Sequence, residues 1–348
     1  MQMVVILTGA IKNTGDFLIA DRAQKLIGKH LNTDILEINR FKDLTDYLDM
    51  INESRALFLG GGPAYSHDIF DGIYNISPIY DKIDVPIIPF GLGWNGKPFP
   101  DYQKFEFSDK SFEILKKIHQ KIPVSSCRDV ITQSILKKYK IQNVIMTGCP
   151  AWYDLNYLST PVNHVRNIGK IVITTPASQK YLHSTLKLIR YTKEKFSNAE
   201  IYLSFHRGIL PGLHTPPRRG LSYSLEAFYG FIKGMNIKDT SGDLGKIDFY
   251  NDCDFHIGYR VHAHLHFLSQ RKPSILLNED GRGYAMSKTL ETKIFNGDDE
   301  GIVEDAIAYL SHCLDSDFND FRITFQKIDD FYENHMKLFF DKIKSIIP

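Results

Sequence analysis

The chain has 348 residues, 43% apolar and 12% aromatic, enough for two domain-sized cores and too hydrophobic for a disordered chain. A formal charge of +1 gives none of the overall basic balance a nucleic-acid binder carries, so no nucleic-acid partner is expected, while a local basic face stays open to an anionic substrate. Four well-separated cysteines, Cys127, Cys149, Cys253 and Cys313, form no CxxC pair, which excludes a zinc ribbon or disulfide framework and fits reduced cytosolic thiols.

The opening MQMVVILTGA lacks a charged segment before its apolar run, and no stretch of about 18 apolar residues follows anywhere, so a cytoplasmic protein without a transmembrane helix is expected. Short β-rich runs over 3–8, 34–38, 56–59, 86–90, 124–126 and 143–146 alternate with helical stretches, the first over about 16–30. Such alternation predicts a parallel sheet covered by helices on both faces. At the first strand-to-helix junction, GAIKNTGDFL, Gly15 permits a close approach, and Asp16 is either a helix cap or a catalytic acid. Gly60, Gly61 and Gly62 directly follow a buried strand, as a ligand-facing loop or a plain turn. No Lys-Ser/Thr pair follows them and the GxGxxG spacing is absent, so neither a P-loop nor an ordinary dinucleotide fingerprint is present. SSCRDV then sets Arg128 at a helix start, where surface placement favours an acid; a salt bridge to Asp129 is the plain alternative. Cys127, without a local histidine, reads as a buried thiol, and Asp154 with its aromatic neighbours as packing at the domain junction.

Turn residues and a proline over 158–167 mark a linker. The pattern restarts with strands over 170–174, 200–205, 255–258 and 273–277 and a helix over 179–196, and the tail over 320–347 has helical spacing of Phe, Ile and Leu. The expected organisation is an N-terminal Rossmann-like domain (1–160), a C-terminal one (168–318) and a helical segment (319–348) that crosses back, an α/β GT-B-like plan with two Rossmann-like domains facing across a cleft. DFHIGYRVHAHLHFLS places Arg260 and His262 at a helix start, where unpaired N–H groups and the macrodipole suit a phosphate or carboxylate. His264 and His266 are expected to pack or hydrogen-bond, because no HExxH glutamate accompanies them and only His262 and His266 share a helix face; no metal is expected. Arg282 leaves the next strand in EDGR, either as an anion ligand or as an exposed turn residue. His206 and Arg207 end another strand and can join the same pocket, whereas Arg218 and Arg219 sit in a Pro-rich stretch as solvated loop charges.

Taken in order, NxGD after the first strand, GGG after a middle strand, SCRD, and RVHA followed by EDGR resemble the polysaccharide pyruvyl transferase family over nearly the whole chain. The resemblance implies a GT-B-like fold and transfer of the enolpyruvyl group of phosphoenolpyruvate (PEP) to sugar hydroxyls of a cell-surface glycan or its lipid-linked precursor, giving a pyruvate ketal and phosphate. It further implies that Arg128, Arg260 and Arg282 hold the donor's phosphate and carboxylate, with His206 and Arg207 beside them. His262 would be the general acid, Asp16 a second catalytic residue, and Asn13 with Gly60, Gly61 and Gly62 the acceptor side. The family often has lysine where Arg282 stands, which keeps the charge and changes the donor geometry. PEP is a co-substrate in this scheme and no cofactor is called for; an acceptor carried on polyprenyl diphosphate would bring the protein to the inner face of the membrane. The alternatives are a GT-B glycosyltransferase using a nucleotide sugar and a non-catalytic carbohydrate- or anion-binding protein, since fold alone does not decide between them.

Overall fold

The computed structural model describes residues 3–96, 101–161, 168–212 and 215–347. Residues 162–167, most of the expected linker, lie outside them. Strands β1 (Met3–Thr8), β2 (Asp34–Asn39), β3 (Leu57–Tyr65), β4 (Ile87–Trp94), β5 (Ser125–Cys127) and β6 (Val144–Met146) pair in the order β2-β1-β3-β4-β5-β6, all parallel. A second parallel sheet contains β7 (Lys170–Thr174), β8 (Glu200–Phe205), β9 (Asn236–Asp239), β10 (Phe255–Gly258), β11 (Ser274–Asn278) and β12 (Phe295–Asn296), in the order β9-β8-β7-β10-β11-β12. The central strands are near-continuous apolar runs, such as MVVILT in β1, because helices cover both faces of a parallel sheet.

The longer helices are α1 (Thr14–Leu31), α2 (Asp109–Lys121), α3 (Val130–Lys138), α4 (Leu182–Lys195), α5 (Pro217–Ile232), α6 (Val261–Ser269), α7 (Gly281–Leu290), α8 (Ile302–Asp315), α9 (Asn319–Phe331) and α10 (Lys337–Ile343). Side-chain caps fix several starts: Ser108 accepts from Ser111 N (3.3 Å), Asp129 from Thr132 N (2.7 Å) and Asp280 from Arg282 N (2.9 Å). A π-helical turn, Tyr332–Met336, joins α9 to α10. Through it the chain crosses between the sheets. Asp329 of α9 pairs with Arg271, just after α6, whereas on α10 Phe339 stacks on Phe90 of β4 (5.4 Å between centroids) and Phe340 on His30 of α1 (4.4 Å). Arg55 ties both chain ends together, its N–H donating to Met3 O (2.8 Å) and its Nη2 to Ile347 O (3.3 Å).

Three departures from the sequence expectation have clear causes. Strand β3 does not end before the glycines: Gly60 pairs with Phe90 and Gly62 with Leu92, so GGG is buried strand and not a loop. Ile6 fills the space beside Gly60 and Ile19 that beside Gly61. The Pro-rich stretch becomes the first turn of α5, with Pro217 at the first helical position, where its missing N–H costs nothing. Strands β9 and β12 are four and two residues long, too short and too polar to announce themselves.

Candidate active site

Each sheet reverses its strand order beside its first strand, between β1 and β3 in one and between β7 and β10 in the other, and ligands of open parallel sheets bind at the carboxyl ends of strands at such points. The two reversal points meet. From the first come Asn13, at the N-cap position of α1, and Gly15 and Asp16 in its first turn. From the second come Pro176 after β7, Arg260 and His262 after β10, and Glu279 and Arg282 after β11. A Cβ on Gly15 would collide with the His262 ring, so the first turns of α1 and α6 touch only because this residue is glycine.

Asn13, His206, Arg207, Arg260, Val261, His262, Glu279 and Arg282 line one narrow cavity. Arg260 is the best supported of its cations: Nη2 donates to Tyr223 Oη (2.8 Å) and Pro176 O (3.2 Å), and Nη1 stands 3.8 Å from Glu279 Oε1. Its Nε has no partner among the described residues. Arg282 is not the exposed turn residue considered from sequence. Its side chain is 18% exposed and clamped by Asp280, which accepts from Nε at 2.8 Å and Nη2 at 2.5 Å. Burial alone would raise the Asp280 carboxyl, but Arg282 outweighs it and holds the group down to about 2. Arg207 is lowered by burial and by the positive charges of Arg260 and Arg282. Arg128, after β5 of the other sheet, does not line the cavity but its charge acts on His262. The ion pair with Asp129 exists (3.1 Å), Nη2 donates to Trp94 O (2.8 Å), and Gly93 leaves the space in which the guanidinium lies.

His262 is the point at which these charges converge. Burial first, then Arg282 and Arg128, push its pKa down to about 3, with Asp280 opposing and Arg260 adding to the effect, so the free protein carries a neutral imidazole. Burial is the larger cause and the surrounding cations add to it, so an anion placed among them would favour the protonated ring. Asp16 moves the other way, its pKa raised by burial, with Asn13, Arg282 and Arg40 opposing. It is not the cap of α1, since Asn13 occupies that position and the Asn13 side chain hydrogen-bonds to it. His206 is fully buried, its Nε2 bonded to Tyr250 Oη (2.9 Å) and its pKa pushed far down by burial and Arg260.

The other histidines stay out of the cavity. His264 Nδ1 and His256 Nδ1 share Ser274 Oγ, each at 2.7 Å, and His266 is buried near the Arg22–Asp154 ion pair (2.6 Å). Gly60, Gly61 and Gly62 are not among the cavity-lining residues, and Ile6 and Ile19 already fill the spaces beside the first two. Cys127 is a buried thiol whose pKa burial raises far above the usual value, and all four cysteines are buried and free.

Sequence reasoning missed the support of Arg260. Arg219 is no solvated loop charge: it is buried in α5, donates to Pro176 O (2.5 Å), lies over the Tyr223 ring (3.7 Å) and pairs with Glu226 (3.1 Å). The spacing of seven residues, which puts Arg219 and Glu226 on one face of a helix, was the available signal. Glu279 accepts from Ala177 N (2.7 Å) and Ser178 N (3.2 Å), holding the loop after β7 against Arg260. No local pattern marks that contact, because it joins the ends of β7 and β11.

Two Rossmann-like units with an arginine-rich cavity at their strand ends define a GT-B-like fold. The chain belongs to the polysaccharide pyruvyl transferase family, whose model matches residues 13–281, and it is a transferase. Among solved structures it is similar to a UDP-GlcNAc 2-epimerase from Neisseria meningitidis bound to UDP-GlcNAc (TM-score 0.58, 11% identity, 99% of this chain and 100% of that one). It is also similar to the S. aureus MnaA–UDP structure (0.57, 12%, 99% and 98%) and to a glycosyltransferase from Rickettsia africae (0.57, 12%, 100% and 98%). At these identities the likeness shows the fold alone. No curated protein matches the chain.

Proposed function

We propose that the protein transfers the enolpyruvyl group of PEP to a sugar of a cell-surface glycan or its lipid-linked precursor, closing a pyruvate ketal and releasing phosphate. The observation that carries this reading is the gathering of Arg207, Arg260 and Arg282 in one cavity with His262, whose imidazole is kept neutral first by burial and then by the charges of Arg282, Arg128 and Arg260. A donor with both phosphate and carboxylate offsets these cations, and the same negative charge lets His262 take up a proton.

His262 then protonates the PEP methylene carbon, leaving an oxocarbenium-like centre at the adjacent carbon. One sugar hydroxyl adds there and loses its proton; a second hydroxyl displaces phosphate, to which the remaining proton goes. The arginines act on the leaving phosphate as its charge develops. Asp16, with its raised pKa and Asn13 as hydrogen-bond partner, is positioned on the α1 side, where it exchanges a proton with an acceptor hydroxyl. No metal or cofactor enters these steps.

Incubation with PEP, candidate glycans and, in parallel, nucleotide sugars tests the reading. Acceptor-dependent phosphate release with a product heavier by one pyruvate ketal is expected. Sugar transfer from a nucleotide donor with none from PEP would overturn it.

A further inference from the structure

Helix α5 has a buried face that builds the site and an outward face that no protein group covers among the described residues. Leu221, Leu225, Phe228 and Ile232 recur at intervals of three and four residues on that outward face, at 65%, 48%, 65% and 56% exposure, with Phe231 beside them at 69%. Isolated exposed leucines are ordinary; a continuous apolar ridge of this length on one helix is not. Leu210, in the turn leading to the helix, is also exposed.

Charge around the ridge selects its partner. Between Arg207 and Lys233 the sequence contains a single acid, Glu226, and that carboxylate is buried against Arg219. The exposed Arg218 stands at one end of the ridge and Lys233 follows the other, its ammonium over the Tyr229 ring. A second copy of the chain fits poorly. A two-fold contact sets the ridge against itself, and in either direction basic ends meet basic ends with no carboxylate of the helix free to pair with them. A bilayer with anionic headgroups takes the apolar side chains below the headgroup level and pairs with both ends.

We propose that α5 docks the protein on anionic membranes, inserting Leu221, Leu225 and Phe228, with Arg218 and Lys233 on the headgroups. The docking stands on these observations alone. Its further consequence, which rests on the proposed function, is that an acceptor held in the membrane lies beside the pocket, because the opposite face of α5 carries Tyr223 and Arg219, the supports of Arg260.

Flotation of the full chain with phosphatidylcholine vesicles, with and without phosphatidylglycerol, tests the proposal. Binding is expected with phosphatidylglycerol present, to be weakened by salt, and to fall roughly tenfold or more in a variant carrying Leu221→Ser, Leu225→Ser and Phe228→Ser. An unchanged thermal midpoint in that variant separates lost docking from lost fold. The single substitution Phe228→Trp adds a second readout, an emission shift to shorter wavelength on anionic vesicles. Three results would overturn the proposal: no flotation of the wild-type chain, equal flotation of the triple variant, or a dimer in sedimentation velocity that the triple variant dissolves while vesicles bind neither form.

Discussion

Donor binding should load a proton onto His262. With a pKa of about 3 in the free protein, the ring is protonated in only about one molecule in ten thousand at pH 7. Half-protonation at that pH requires roughly 5 kcal/mol of interaction favouring the imidazolium. One negative charge about 4 Å away contributes about 4 kcal/mol at an effective dielectric of 20, so a phosphate and a carboxylate in the same pocket meet the requirement, more so because they also neutralise Arg282 and Arg128. The sign follows: the complex binds a proton that the free protein lacks, so PEP affinity is greatest at low pH and weakens as pH rises through the pKa of the complex. Calorimetric titration of PEP in buffers of different ionisation enthalpy measures this uptake directly. An uptake approaching one proton is expected for the wild type and near zero for His262→Gln, whose turnover should fall roughly 100- to 10,000-fold with PEP binding retained. Proton uptake that is absent in the wild type, or identical in His262→Gln, would refute the reasoning.

Other outcomes follow from the same contacts. Arg128→Ala and Arg260→Ala should each weaken PEP binding by about 1.5–3 kcal/mol, and Gly93→Ala should mimic the first by displacing the guanidinium; unchanged calorimetric affinity in all three would make these arginines structural. Asp154→Ala strands a buried Arg22 and should cost about 3 kcal/mol in urea unfolding, whereas replacing both partners with apolar residues should recover most of it. Glu226 is raised from 4.5 to about 7, by burial against the opposing charge of Arg219. The folded chain therefore keeps a proton that the unfolded chain releases, a contribution fully present below pH 4.5 and lost as pH rises through about 7. Glu226→Gln should flatten that part of the melting profile, and a wild-type profile already flat across the window would contradict the assignment.

Much of the architecture was legible because parallel strands buried on both faces write unbroken apolar runs, and β1, β7 and β8 were delimited to the residue. The candidate cavity was legible where its lining follows strand ends, as Asn13, Arg260, His262 and Arg282 do. Two kinds of information were not local. GGG read as a loop because glycine is a turn former, whereas its pairing with β4 carries the strand through it and Ile6 and Ile19 occupy the space a side chain would need at Gly60 and Gly61. The pKa of His262 depends first on its burial and then on arginines from three separate segments, so an isolated imidazole value near 6.5 could not anticipate a ring held near 3.

The path of the C-terminal helices has a consequence for biosynthesis. Phe339 and Phe340 complete the packing around Phe90 and His30, and Arg55 receives both ends of the chain. The second sheet, by contrast, has all its strands once residue 296 is made. On the ribosome the unit synthesised first, though its strands are complete by residue 146, keeps apolar surface around β4 and α1 uncovered until α10 emerges. Chaperone demand should fall on the first half of the polypeptide, and a release of the chain short of α10 would leave that half, not the other, exposed to aggregation.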